Sequence, residues 1–324
     1  MDASLIYCLQ PAPDKFNGVA VNANSPGIAP FAFHAQHGST KKNIGEDDVA
    51  GFAACTKDVP VHVSNGKACT SDATPRIATH GFELIKDHLL SDVHVDEHPW
   101  LRDDKHIVEF YYGHAEALAK QLMPGATAAF AFNHVRRVSR QTEALKKKAR
   151  HAAGLSAPSY MVHTDSTNES WLHNVRDLVA RDAFGGEGPT HLSEEQGKAL
   201  AAADRVVVLN LWRLVTNFGQ PSPTHLAMCD ERSVDLAMAI PYHFLVDGCV
   251  GFNYGLPASA APEHKWSYFP ELAADEVVVF KAYDSRGPGW CFHAAVDDPG
   301  APDGCAPRES VEVRVALAFP AAPV

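Results

Sequence analysis

The strongest patterning lies in the second half of the chain, where short apolar runs alternate with turns rich in Gly, Pro and Asp. Val206-Val-Val-Leu-Asn-Leu-Trp212 is almost continuously apolar, as a strand buried on both faces requires. Comparable runs follow at 242–246, 252–254, 265–269, 276–281, 290–296 and 310–319. Short strands spaced in this way predict an antiparallel sandwich or barrel. Helical spacing appears earlier: Val108, Tyr111 or Tyr112, Ala115, Leu118 and Leu122 recur before Pro124-Gly125, which predicts a helix over 107–123. A strand over 126–138 and a basic helix over about 139–153 come next. Ser166-Thr-Asn-Glu169 and Ser193-Glu-Glu-Gln196 are capping-box sequences, predicting helices to about 181 and about 203. Residues 1–77 hold neither period for long and are rich in Gly, Pro, Asn, Ser and Asp. They read as an irregular N-terminal section with short strands, packed on a core of 78–324 in one globular unit. The expected class is mainly β with flanking helices.

Composition narrows the possible functions. With 46% apolar and 21% charged residues the chain is an ordinary globular protein. Its apolar runs fall far short of the ~18 residues of a membrane span. The first residues show no basic segment leading into a long apolar one, so no secretory leader is expected. A net charge of −11 argues against a nucleic-acid partner. The exception is local: Arg136, Arg137, Arg140, Lys146, Lys147, Lys148 and Arg150 crowd together against the single acid Glu143. That run suits a solvated helix face or a surface that attracts an anionic substrate. The cysteines at 8, 55, 69, 229, 249, 291 and 305 form no Cys-x-x-Cys pair, which argues against a disulfide framework or zinc ribbon. They suit a reducing, cytoplasmic setting.

Candidate chemistry centres on Pro158-Ser-Tyr-Met-Val-His163-Thr-Asp165, an apolar run ending in a histidine with an aspartate two residues on. On an extended chain these side chains project from the same face and can close on one ion. Two histidines and one carboxylate, with the opposite face left open, form the ligand set of non-haem iron oxygenases. The spacing alone is weak, because about two His-x-acid matches are expected by chance at this composition. Three occur, at His94-Val-Asp96, His114-Ala-Glu116 and His163-Thr-Asp165. His114 falls in a helical pattern, where i and i+2 diverge, and His94 in a charged stretch. His163 alone ends a strand-like run. For the third ligand, His293 on the run 290–296 is preferred, with His264, His243 and His225 as rivals. Downstream lies Arg308-Glu-Ser310, with Arg314 further along the same run. A 2-oxoglutarate chelated to iron needs a buried cation for its far carboxylate, and a planar Arg beside a hydroxyl meets that need. Arg308 with Ser310 is one choice, and Arg314, of the same strand parity, is the other.

The motifs Asn133-His-Val-Arg136, Val162-His-Thr-Asp-Ser166, Asn210-Leu-Trp-Arg213, Leu226-Ala-Met-Cys-Asp230, 264–270, 275–285 and 307–314 form an ordered series. The series resembles the hydroxylase/desaturase family of fungal and bacterial natural-product pathways, over roughly residues 78–320. The resemblance implies a double-stranded β-helix (jelly roll, cupin-like) core and an enzyme using Fe(II), 2-oxoglutarate and O2 to hydroxylate or desaturate a small organic molecule. It places the metal ligands at His163, Asp165 and His293. Asn210, Trp212, Arg213, Lys281 and Tyr283 fall in its motifs and become candidates either to pack and pin strands or to line the co-substrate or substrate pocket. A homodimer rests on the resemblance alone. The chain departs from the family at Leu214, where Pro is usual, and at Ala294, where Thr is usual. The competing readings are an iron enzyme of the same fold that does not consume 2-oxoglutarate, and a non-catalytic β-sandwich with incidental histidines.

Overall fold

The computed structural model describes residues 1–8, 32–34, 56–69, 74–87, 99–139, 155–156, 158–167, 192–246, 249–287 and 289–321. Within these the strands are β1 (Asp2–Cys8), β2 (Ala32–His34), β3 (Thr56–Asn65), β4 (Phe82–Lys86), β5 (Ala128–Val138), β6 (Leu155–Ser156) and β7 (Arg205–Leu214). They continue as β8 (Thr224–Cys229), β9 (Ile240–Val246), β10 (Cys249–Gly255), β11 (Trp266–Tyr268), β12 (Glu276–Asp284), β13 (His293–Asp297) and β14 (Glu309–Phe319). A six-stranded sheet runs β4-β12-β7-β14-β5-β6, a five-stranded sheet β1-β3-β11-β8-β13, and a smaller one β10-β9-β2.

Strand parity explains the layers. On β14, Val311, Val313, Val315 and Leu317 pack outward against Ile107, Tyr111, Ala115, Leu118 and Ala119 of the helical segment that ends in α1 (Tyr112–Leu122). Gly125, at φ +94°, closes that segment in a backbone conformation that disfavours a side chain. The alternate face of the six-stranded sheet turns inward, where Trp212, Leu214, Val278 and Phe280 meet Met228 and Cys291 of the opposing layer. The polar residues Ser310, Glu312 and Arg314 share that inward parity and are placed between the two sheets. β7 is buried almost end to end, as its apolar run requires. The second capping box is formed: Ser193 and Gln196 bond reciprocally at the start of α2 (Glu194–Ala201).

Three features differ from expectation. The N-terminal section contributes two full strands, β1 and β3, because Leu5, Tyr7 and Val63 are buried in the core behind the five-stranded sheet. The stretch 158–163 is not a strand; single bridges tie Met161 to Ile6 and His163 to His293. Thr224–Cys229, whose polar and apolar residues mix, forms β8 between β11 and β13. The basic helix beyond Ser139, the helix after Asp165, the loop at 184–189 and His94 lie outside the described residues.

His264, a rival for the metal, is instead a core histidine. The Trp266 indole N–H donates to the Tyr7 hydroxyl at 2.9 Å, and that hydroxyl donates to His264 Nδ1, 3.1 Å away. Burial holds this imidazole down to about 4. The folded protein therefore keeps His264 neutral while the unfolded chain takes up a proton below its ordinary value near 6.5. Stability is lost as pH falls from about 6.5 towards 4. Urea unfolding across that range is expected to show a shallower acid loss in His264→Asn than in the wild type; parallel curves would assign the loss to other groups.

Candidate metal centre

The centre is assembled by backbone pairing. His163 N–H donates to the His293 carbonyl at 3.1 Å, and His293 N–H donates back at 3.0 Å. This reciprocal antiparallel pair brings the two imidazoles to 4.4 Å between ring centroids. Each ring is oriented by a carbonyl two residues earlier: His163 Nδ1 lies 2.7 Å from Met161 O, and His293 Nδ1 3.0 Å from Cys291 O. A carbonyl only accepts, so Nδ1 carries the proton and Nε2 keeps its lone pair. Both Nε2 atoms face Asp165, His163 at 3.8 Å from Oδ1 and His293 at 3.8 Å from Oδ2. One ligand atom from each of the three residues lies within 4.8 Å of the others. The Phe280 ring packs against His293 at 4.7 Å.

The electrostatics match this geometry. Burial, and then the neighbouring His293, push the His163 imidazole down to about 4. Burial also lowers His293, against the opposing pull of Asp165. At Asp165 burial pushes upward, but Arg314 and the two histidines outweigh it and hold the carboxyl well below the usual range. Neutral imidazoles beside an ionised carboxylate are the protonation states a divalent cation requires. Asn210 Nδ2 donates to Asp165 Oδ2, and Arg314 Nη2 lies 3.3 Å from Oδ1.

Further along the inward face is a second polar feature. The Arg308 guanidinium is buried, sits 5.4 Å from the centroid of the Trp212 ring, and is pushed down to about 10, first by burial and then by Arg137. One of its nitrogens reaches Thr224 O at 3.5 Å. Arg308 Nε and Ser310 Oγ are buried with no hydrogen-bond partner among the described residues. Such atoms are normally paired, so two orphans on one wall fit the carboxylate of a bound acid. Arg308 lines a cavity together with Trp212, Thr224, Leu226, Phe269 and Val278.

The remaining candidates are placed elsewhere. Arg213 has the opposite parity to Asn210 and Trp212, and its side chain lies in the helix layer. There, fully buried, it bonds Asp87 Oδ2 at 2.9 Å, the Tyr111 hydroxyl at 3.3 Å and Ala274 O at 2.6 Å. Of the two readings for Arg213, these bonds match the pinning of strands. Lys281 Nζ pairs with Glu231 at 2.6 Å, and Tyr283 packs in an apolar group with Phe132, Leu192, Val206 and Val208. His225 lies 3.4 Å from Asp298, while the side chain of His243 is outside the described residues. Sequence reasoning missed Glu312 and Asn133, although Glu312 shares the parity of Ser310 and Arg314 and Asn133 opens a quoted motif.

A double-stranded β-helix carrying a buried set of two histidines and one carboxylate defines the class of non-haem iron oxygenases. Within that class the chain belongs to the hydroxylase/desaturase family, and its residues 22–319 match the family described as "Oxidoreductase/YMDC permease-like domain". It is 30% identical over 230 residues to "Hydroxylase/desaturase efuI" of Hormonema carpetanum, covering 65% of this chain and 70% of that protein. It is 24% identical over 255 residues to "Fe(II)/2-oxoglutarate-dependent dioxygenase nvfI" of Aspergillus novofumigatus, covering 75% and 80%. The solved structure of "iron and alpha-ketoglutarate-dependent endoperoxidase NvfI with different conformation" superposes with a TM-score of 0.69 at 18% identity, covering 99% of this chain and 98% of that one. No helix among the described residues is long and apolar enough to cross a membrane.

The contrast between Arg213 and the inward residues is testable. Arg213→Met would remove one partner of the buried Asp87 carboxylate, whose other oxygen stays 2.8 Å from His114 Nε2, and is expected to cost about 3 kcal/mol in denaturant unfolding. Its Fe(II) affinity in the folded state should match the wild type; loss of iron binding at full stability would return Arg213 to the site.

Proposed function

We propose that this protein is an Fe(II)- and 2-oxoglutarate-dependent oxygenase that hydroxylates or desaturates a small organic molecule of secondary metabolism. The observation that carries the reading is the pairing of a buried His163-Asp165-His293 cluster with an orphaned Arg308-Ser310 wall on the same inward face. When bound, iron with 2-oxoglutarate and O2 supplies the oxidising power to break an unactivated C–H bond, and the co-substrate leaves as succinate and carbon dioxide.

The chain's own residues divide the remaining work. His163, Asp165 and His293 would hold the metal through Nε2, a carboxylate oxygen and Nε2, the ligand set of non-haem iron oxygenases. Carbonyls of Met161 and Cys291 fix the two ring tautomers, so neither imidazole needs to turn when metal arrives. Arg308 and Ser310 bind the far carboxylate of 2-oxoglutarate, and Trp212 closes over the guanidinium and keeps water from it. In that dry setting each charge-assisted bond is stronger than at the surface.

Anaerobic titration with Fe(II) and 2-oxoglutarate is the direct test, and a visible charge-transfer band from the chelate is expected. Its absence in folded protein would sink the co-substrate claim. Asp165→Ala should abolish the band together with Fe(II) binding. Arg308→Met should raise the 2-oxoglutarate needed for half-saturation about 10- to 100-fold, from the 1.5–3 kcal/mol of a hydrogen bond to a charged group. Fe(II) affinity without co-substrate should stay unchanged in that variant.

A further inference from the structure

We infer that Arg314 is a positioning residue for the iron-binding carboxylate, acting through Asp165 and itself held in place by Glu312 and Asn133. The inference rests on the reading that Asp165 binds the metal. A ligating carboxylate has two oxygens and can swing to offer both, which would fill a position the reaction needs open. Here both oxygens are occupied from the protein side. Asn210 Nδ2 donates to Oδ2, and Arg314 Nη2 stands 3.3 Å from Oδ1.

The register shows why these residues meet. Arg314 lies opposite Asn210 on β7 and opposite Asn133 on β5, so three polar side chains form one rung across the inward face. Its Nη1 donates to Asn133 Oδ1. Glu312, the next inward residue on β14, forms an ion pair with Nη2 at 2.9 Å. The guanidinium is thus nearer Glu312 than Asp165, at 2.9 against 3.3 Å. The buried Glu312 restrains it from closing on Asp165 and displacing a metal, yet leaves it near enough to orient Oδ1. A planar fork can serve three acceptors in fixed directions; an ammonium on a flexible stem cannot. The same commitments take Arg314 away from the role of co-substrate anchor and leave that role to Arg308.

Charge alone and positioning predict opposite signs, which makes the test decisive. Removing a cation 3.3 Å from a metal ligand should tighten Fe(II) binding if only charge matters. Positioning predicts that Arg314→Met weakens it at least ten-fold and that Arg314→Lys does not restore it. The measurement is the Fe(II) dissociation constant without co-substrate, by anaerobic competition with a chromophoric chelator, alongside the melting temperature. Equal or tighter binding by Arg314→Met overturns the inference, as does a lowered melting temperature with an unchanged constant. Should that variant not fold, Asn133→Leu removes the Nη1 acceptor without changing charge. About three-fold weaker binding is expected of it, and an unchanged constant overturns the inference equally. Failure of the broader reading has a different signature, in which the wild type binds Fe(II) no more tightly than Asp165→Ala.

Discussion

Two backbone hydrogen bonds between His163 and His293 are the constraint on which the centre depends. They join a stretch that forms no extended strand of its own to the first residue of β13, and they fix the spacing of the imidazoles before any metal is considered. Because the link is made by main-chain atoms, it does not compete with the ring nitrogens. Those nitrogens are divided cleanly, Nδ1 to a carbonyl and Nε2 to the cluster, and the same division is repeated at both residues. The carboxylate of Asp165, in a bend two residues after the first histidine, is held towards both rings by Asn210.

The six-stranded sheet separates support from chemistry by alternation. Outward residues of β7 and β14 meet the helical layer, and there Arg213 joins Asp87 and Tyr111 into a buried anchor. Inward residues of the same strands carry Asn210, Trp212, Ser310 and Arg314. Burying so many polar groups is costly unless they are paired or await a ligand. Among the described residues, buried atoms without a hydrogen-bond partner remain at Asn210 Oδ1 and Glu312 Oε1 as well as at Arg308 Nε and Ser310 Oγ.

Much of this was legible in the residues. Short apolar runs between turns gave most of the later strands, and the spacing of His163 and Asp165 marked a candidate pair that the fold brings to His293. What was not legible depended on distant partners. Nothing near His264 announces that Tyr7 will bond its ring. Arg213 shares a motif with Asn210 but not its parity, so its membership of that motif pointed to the wrong layer. Glu312 carries the wrong sign for a pocket that receives a diacid, and only the shared guanidinium gives it a role. β1 was obscured by the Gly- and Pro-rich sequence that follows it.

The position of β1 also bears on the order of assembly. Ile6 accepts a backbone bond from Val162 at 2.9 Å, so an element near the start of the sequence braces the ligand segment, while Arg314 comes from β14 near the other end. Contacts this distant in sequence close late, because loop entropy must be overcome first. During synthesis the ligand pair at 163 and 165 emerges well before the strands that complete its surroundings. The surroundings of that pair are therefore complete only once strands from early and late in the sequence have packed together.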